Sequence, residues 1–129
     1  MTTTARHVNP RLISGFVEGL REPSAHYISP ERVCKALGVQ ANGLAGLTGI
    51  HRNTMRNPAS ERLQNKLREM LKAISAAAEL TGDFNKAIYW YRNEPIGDYG
   101  YKTAAELVAS GHVDAVLSYL NDLENGAAG

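Results

Sequence analysis

The sequence has little cysteine, few aromatic residues and no long apolar run. Among its 129 residues there is one cysteine, and aromatic residues make up 7%. The single Cys34 excludes an internal disulfide framework, and neither a CxxC pair nor a Cys/His cluster is present for zinc. No apolar stretch reaches the ~18 residues of a membrane span, and residues 1–10 lack the apolar core of a signal peptide. We therefore expect a cytoplasmic protein with no membrane segment.

Motifs of catalysis are also missing. The sequence has four histidines, which are His7, His26, His51 and His112. Their spacing matches neither HxxxH nor HExxH, so it does not predict a metal site. There is no phosphate-binding glycine loop or nucleophile elbow, and Cys34 lies on an apolar helical stripe without a nearby base. The sequence thus predicts a protein that is not an enzyme and that holds neither a metal nor a cofactor.

The net charge of +1 conceals two segments of opposite charge. Residues 1–72 carry eleven Lys and Arg against five acids, a net charge of +6. Residues 73–129 carry three Lys and Arg against eight acids, a net charge of −5, and most of the aromatic residues. The asymmetry indicates two different partners. Two ordinary solvated surfaces are the alternative explanation.

Every clear periodic pattern in the sequence is helical, which predicts an all-α fold. A capping residue followed by proline begins a helix at Asn9-Pro10 and again at Ser29-Pro30. The helix from Ser29 is predicted to end at Gly38. Later helices are predicted to begin at Ser60, Asp83 and Thr103. Gly82 ends the helix from Ser60, Gly111 the helix from Thr103, and Gly126 the last helix. Residues 93–102 contain one proline and two glycines and are predicted to be a loop.

Residues 39–57 fit a helix-turn-helix. Ala45 is a small residue where two helices would cross, and Gly49 lies four residues later, in the turn. The second helix would present five polar residues to DNA, which are His51, Arg52, Asn53, Thr54 and Arg56. Arginine binds guanine edges or phosphate, and asparagine binds adenine.

Two features of this motif argue against strong DNA binding. Gly43 and Gly46 each cost the first helix about 1 kcal/mol relative to alanine. Pro58 ends the second helix after barely two turns. A helical core that shares the pattern is therefore the alternative.

The second segment carries residues suited to protein binding. Tyr99 and Tyr101 flank Gly100 in the predicted loop, where few core positions exist. Trp90 lies beside the apolar stripe of its helix and either reaches another surface or closes the small C-terminal core. Tyrosine and tryptophan are frequent at interface hot spots because they bury much area at low cost in rotamer entropy. The Gly126–Gly129 tail is thin enough for a narrow cleft, or is simply a frayed end.

An ordered series of residues across 74–126 resembles the toxin-binding domain of Xre/MbcA/ParS-type antitoxins. The series comprises Glu79-Leu80-x-Gly82-Asp83, Ala87, Trp90, Pro95, Gly100-x-Lys102-Thr103, Glu106-Leu107, Gly111, Val116, Leu120 and Gly126. It departs from the pattern at Tyr91, where leucine often follows the tryptophan, and at Ala104, where proline commonly follows the threonine. A preceding helix-turn-helix is the arrangement expected of the same family.

The resemblance implies a type II antitoxin with an N-terminal Xre-like helix-turn-helix domain (1–72) and a toxin-binding domain (73–129). Its partner would be a RES-domain toxin, which consumes NAD by phosphorolysis or ADP-ribosyl transfer. The antitoxin would cover the toxin's active site, repress its own operon by binding operator DNA, and form a homodimer, with the helix from Pro10 to Leu20 as a candidate contact. The expected toxin-binding residues are Trp90, Tyr99, Tyr101, Lys102, Asn125, Gly126, Ala127, Ala128 and Gly129.

The charge of the second segment suggests how inhibition would work. A cleft that holds the pyrophosphate of NAD must be basic, so a segment of net charge −5 complements it. We expect the terminal carboxylate to occupy an anion subsite of that cleft. The alternative is a helix-turn-helix transcriptional regulator whose C-terminal half only dimerises, which predicts salt-dependent DNA binding and no toxin partner.

Overall fold

The structure, a computed structural model, describes residues 10–23 and 26–126. All regular structure in these ranges is helical, which confirms the predicted all-α class. The helices are α1 (Pro10–Gly19), α2 (Pro30–Leu37), α3 (Ala41–Thr48), α4 (Arg52–Met55), α5 (Glu61–Thr81), α6 (Phe84–Asn93), α7 (Ala104–Ala109) and α8 (Val113–Glu124). The predicted loop contains a 3₁₀ turn, Gly97–Tyr99, and an isolated antiparallel bridge joins Ile96 to Lys102.

The helix boundaries follow the predicted caps. Thr103 and Glu106 form a reciprocal capping box, in which the Thr103 N–H donates to the Glu106 carboxylate at 2.9 Å and the Glu106 N–H donates to the Thr103 hydroxyl at 3.1 Å. The Asp83 carboxylate accepts from the Asn85 and Lys86 N–H groups in the first turn of α6. Gly82 ends α5 at a φ of 74°, a conformation that glycine adopts without strain. The predicted cap Asn9 lies outside the described residues.

Helix α5 is the element on which the others pack. It contacts α3, α6, α7 and α8, and three of its buried residues, Ala73, Ala77 and Ala78, are small enough to let neighbouring helices approach closely. The predicted boundary between residues 72 and 73 falls inside α5, and buried residues from both sides of it belong to one cluster. The two oppositely charged segments therefore share this helix and its core.

A buried glutamine in α5 holds the non-helical segments around it. Gln64 is 5% exposed. Its amide nitrogen donates to the carbonyl oxygens of Ile28 and Pro58, both at 2.8 Å, and its amide oxygen accepts from the Ile28 N–H at 2.8 Å. The N–H and the carbonyl of Ile28 are therefore both hydrogen-bonded, although packing against α5 shields them from water.

Gln64→Met removes these bonds at nearly constant volume. We expect it to lower the free energy of unfolding by about 3 kcal/mol, because buried backbone groups lose their partners. Urea denaturation followed by circular dichroism measures the change. Gln40→Met is the control, since Gln40 is exposed and its side chain makes no capping bond, and we expect a change within about 0.5 kcal/mol. Equal stability of the two variants would contradict this account of Gln64.

Two half-buried cations each bind a carbonyl oxygen near the C-terminal end of another helix. An Arg92 Nη1–H donates to the Leu37 carbonyl oxygen at the end of α2, at 2.9 Å. The Lys66 Nζ donates to the Val108 carbonyl oxygen in α7, at 2.9 Å, and pairs with Glu69 at 3.0 Å. The Leu37 carbonyl lies at a helix end, where no partner inside the helix is available, whereas the Val108 carbonyl also accepts from the Gly111 N–H at 3.0 Å. Both cations lie near the negative end of a helix dipole, where positive charge is stabilising.

The core also contains a phenol that makes no hydrogen bond within the described residues. Tyr91 is 0% exposed, and no group in these residues lies within bonding distance of its hydroxyl. Burial raises the pKa of this phenol far above its ordinary value, and the nearby Glu69 raises it further. The hydroxyl therefore stays protonated in the folded chain at any pH that the fold tolerates.

Tyr91 makes the stability of the fold sensitive to alkaline pH. Its pKa is raised on folding, so its contribution is complete below the unfolded-state pKa of 10.0 and is lost above it, where only the unfolded chain ionises. We expect a loss of about 1.4 kcal/mol by about pH 11 from this residue alone. Tyr91→Phe removes that loss, and urea denaturation at pH 8 and 11 measures it.

Tyr89→Phe is the matched control, because Tyr89 is 62% exposed on the same helix. At neutral pH we expect Tyr91→Phe to be as stable as the parent chain or up to about 1 kcal/mol more stable, since it removes an unpaired buried hydroxyl. The same alkaline loss in Tyr91→Phe as in the parent chain would refute this interpretation of the phenol.

Candidate partner-binding surface

Three aromatic rings from separate parts of the chain meet in the C-terminal half. Trp90 of α6 stacks parallel to Tyr119 of α8 with ring centroids 6.5 Å apart, and Tyr99 meets Tyr119 edge-on at 6.3 Å. All three are half-buried. Two predicted site residues, Trp90 and Tyr99, are therefore brought together by Tyr119, which sequence analysis did not assign to the site. Tyr119 lies between Val116 and Leu120 at the margin of the apolar stripe of α8, and this position was the sequence feature that could have indicated its role.

Backbone hydrogen bonds close the loop that carries Tyr101. The Ile96 N–H donates to the Lys102 carbonyl oxygen at 2.9 Å, and the Tyr99 and Tyr101 N–H groups donate to the Ile96 carbonyl oxygen at 3.0 and 2.9 Å. The Ile96 side chain is 2% exposed and anchors the loop in the core. These bonds fix residues 96–102, the tyrosine loop, as a defined protrusion.

Tyr101, at the tip of the tyrosine loop, combines backbone strain with exposure. Its φ is 61°, and it is the single non-glycine residue with positive φ in the described part of the chain. That conformation costs an aromatic residue on the order of 1 kcal/mol, yet the side chain is 77% exposed. The free-energy cost of the positive φ is therefore not offset by burial of the Tyr101 side chain in the chain's own core. The arrangement is typical of a side chain presented to another molecule.

A groove lies beside the tyrosine loop, between α3 and α7. Its volume is about 530 Å³. Gly46 and Leu47 of α3 form one wall, and Ala105 and Ala109 of α7 are among the residues of the other. The cations Lys102 and Arg92 also line it, together with Glu106. The predicted site residue Lys102 thus belongs both to the tyrosine loop and to this groove.

The residues predicted to contact DNA lie on a short exposed turn. Helix α4 has four residues, Arg52–Met55, so it is shorter than the two turns expected. The His51 Nδ1 caps it by accepting from the Asn53 N–H at 3.1 Å. His51, Arg52, Asn53 and Arg56 are exposed, whereas Thr54 is half-buried. Arg56 follows the last helical residue instead of lying within the helix.

The turn between α3 and α4 is packed against α7. Gly49 has a φ of 70°, and a Cβ there would lie 3.0 Å from the Ala109 carbonyl oxygen, so a larger residue would be both strained and crowded. The buried Thr48 hydroxyl donates to the Leu44 carbonyl oxygen at 2.9 Å and accepts from the Ile50 N–H at 3.2 Å. The predicted turn is thus held by the second segment as well as by its own helices.

The C-terminal candidates are described only in part. Asn125 follows α8, and its N–H donates to the Asn121 carbonyl oxygen at 3.0 Å. Gly126 has a φ of 75°, and both residues are exposed. Ala127, Ala128 and Gly129 lie outside the described residues, so their role stays a prediction.

Residues 10–23 and 26–126 contain no group of three His, Cys, Asp or Glu side chains that could hold a metal ion. Cys34 is half-buried, and burial raises the pKa of its thiol, to which the nearby Glu31 adds. A raised pKa keeps this thiol protonated at neutral pH and lowers its reactivity.

Comparison with protein-family models, curated proteins and solved structures finds no match to this chain. None of the described helices is long and apolar enough to cross a membrane. The assignment of function therefore depends on the chemistry of the surfaces described above.

Proposed function

We propose that the chain is the antitoxin of a type II toxin–antitoxin system, which binds a RES-domain, NAD-consuming toxin and inhibits it by covering its active site. The observation that carries the proposal is Tyr101, an exposed aromatic ring held on a strained and closed loop. It occupies the unspecified position between Gly100 and Lys102, two residues of the series that resembles the toxin-binding domain of Xre/MbcA/ParS-type antitoxins.

Inhibition would be steric and electrostatic, with no chemistry performed by this chain. The tyrosine loop supplies the aromatic contact. Tyr99 of this loop packs against Tyr119, which stacks on Trp90. Asp98 in the loop and Asp122 and Glu124 near the end of α8 are exposed acids. Such acids complement a cleft that is basic because it binds the pyrophosphate of NAD.

The two departures from the family pattern do not affect the proposed surface. Tyr91 and Ala104 are both 0% exposed. They contribute to the core, where a tyrosine replaces leucine and an alanine starts α7 in place of proline. The two residues of the pattern that lie in the tyrosine loop, Gly100 and Lys102, face solvent and match it.

The test of the proposal is to look for a RES-domain protein encoded in an adjacent reading frame and to co-express it with this chain. We expect the two proteins to co-purify and the toxin's consumption of NAD to be blocked. Tyr101→Asn should weaken the complex about 30-fold, the value of a hot-spot residue of roughly 2 kcal/mol. The free chain should keep its stability, because asparagine tolerates the left-handed backbone better than tyrosine does.

Tyr89→Asn is the matched control for Tyr101→Asn, since Tyr89 is also exposed but lies on α6 outside the predicted site. Its complex should be unaffected. If no complex forms, and the chain instead binds DNA in a salt-dependent way that Arg52→Ala and Arg56→Ala abolish, the chain is a transcriptional regulator whose C-terminal half has another role.

The predicted role of the tail is tested separately. Deletion of Ala127 to Gly129 should restore toxin NAD consumption in a complex that still co-purifies, because the tyrosine loop would hold the toxin while the anion subsite is left empty. An NAD-consumption assay on the purified complex measures this. Full inhibition by the shortened chain would show that the tail does not contribute and that the tyrosine loop or the helix faces block the active site.

We propose that operator DNA is a second partner. The support is the set of exposed polar residues around α4, of which Arg52 and Arg56 carry positive charge. In this arrangement the basic surface represses the operon while the acidic surface binds the toxin. Dimerisation through α1 is part of the same proposal.

A further inference from the structure

We infer that the groove between α3 and α7 receives a segment of the partner protein that carries an aspartate or glutamate, whose carboxylate pairs with Lys102 and Arg92. The inference rests on the proposed function to the extent that the partner is a protein. It adds the chemistry of a second contact, adjacent to Tyr101 but separate from it.

The two cations of the groove are available for an ion pair. In the described part of the chain neither Lys102 nor Arg92 lies within 4.0 Å of a carboxylate, whereas Arg21 and Lys66 both have acidic partners. One Arg92 N–H is bound to the Leu37 carbonyl oxygen, and a guanidinium has further donors. Glu106 lines the same groove, but its carboxylate accepts from the Thr103 N–H and is committed to the capping box.

The wall formed by α3 leaves room for another chain. A Cβ at Gly46 would have no atom within 4 Å, so no contact inside the described molecule requires glycine there. A helical glycine costs about 1 kcal/mol relative to alanine. The absence of a side chain instead keeps the groove open at the position where a partner's backbone would lie.

The surrounding charge favours a single carboxylate over a nucleic acid. Glu94 and Asp98 are exposed on the chain that leads to Lys102, and Glu106 lies in the groove itself. An extended polyanion would pass close to all three acids, whereas a single carboxylate placed between Lys102 and Arg92 would lie nearest to the two cations that line the groove. Lys102 also follows Tyr101 directly, so one partner would contact both residues.

Zero-length carbodiimide cross-linking of the complex with the RES-domain protein tests the ion pair directly. The reagent joins an amine to a carboxylate that is already in contact with it. We expect mass spectrometry to find an amide between the Lys102 Nζ and an acidic residue of the partner. Lys35 and Lys86, which are exposed outside the groove, serve as internal controls and should give no such link.

Two variants measure the contribution of the groove to binding. Lys102→Met should weaken the complex about tenfold, and Lys35→Met should leave it unchanged. Gly46→Gln should stabilise α3 yet weaken the complex at least tenfold, because its side chain occupies the groove. Ala41→Gln, at an exposed position of the same helix outside the groove, is its control.

The outcomes separate this inference from the proposed function. If the complex is weakened by Tyr101→Asn but not by Lys102→Met or Gly46→Gln, and no cross-link forms at Lys102, the groove assignment is wrong and the proposed function still stands. Loss of DNA binding instead of toxin binding in Lys102→Met would also overturn it. If no complex forms with the RES-domain protein, both proposals fail together.

Discussion

The packing of the short helix α7 against both α5 and α3 is the contact on which the position of the tyrosine loop and of the turn between α3 and α4 depends. Four of the six residues of α7 are buried. On one side the Lys66 ammonium binds the Val108 carbonyl oxygen, and on the other the turn at Gly49 lies against Ala109. The capping box that begins α7 follows the tyrosine loop directly. A helix too short to be stable alone thus positions both candidate surfaces.

This arrangement places two oppositely charged surfaces on one core. The basic segment contributes α1 to α4 and the first half of α5, and the acidic segment contributes the rest of α5 and the three helices that follow it. Because α5 runs through both segments, neither surface can be removed without exposing apolar side chains of the other. The strain at Tyr101 is tolerated since the hydrogen bonds to Ile96 and the burial of that residue hold the loop from both ends.

Much of the fold was predictable because its signals are local. Caps such as Asp83 and the Thr103–Glu106 pair, and terminal glycines such as Gly82, act within a few residues of themselves. The candidate site was predictable only in part. Tyr99, Tyr101 and Lys102 do share one loop, but the local signal at Tyr119 did not indicate its partner, because its contact with Trp90 joins α8 to α6. The predicted contacts with toxin and DNA stay predictions.

By itself the sequence determined the helices, their ends and the opposite charges of the two segments, because these follow from side-chain chemistry over short distances. Tertiary structure alone decided which residues meet. It paired the amide of Gln64 with the backbone of Ile28, 36 residues away, and it opened the groove between α3 and α7. It also forced Tyr101 into a left-handed conformation. The physical reason is that burial and hydrogen bonding between distant residues outweigh local preference once the core has formed.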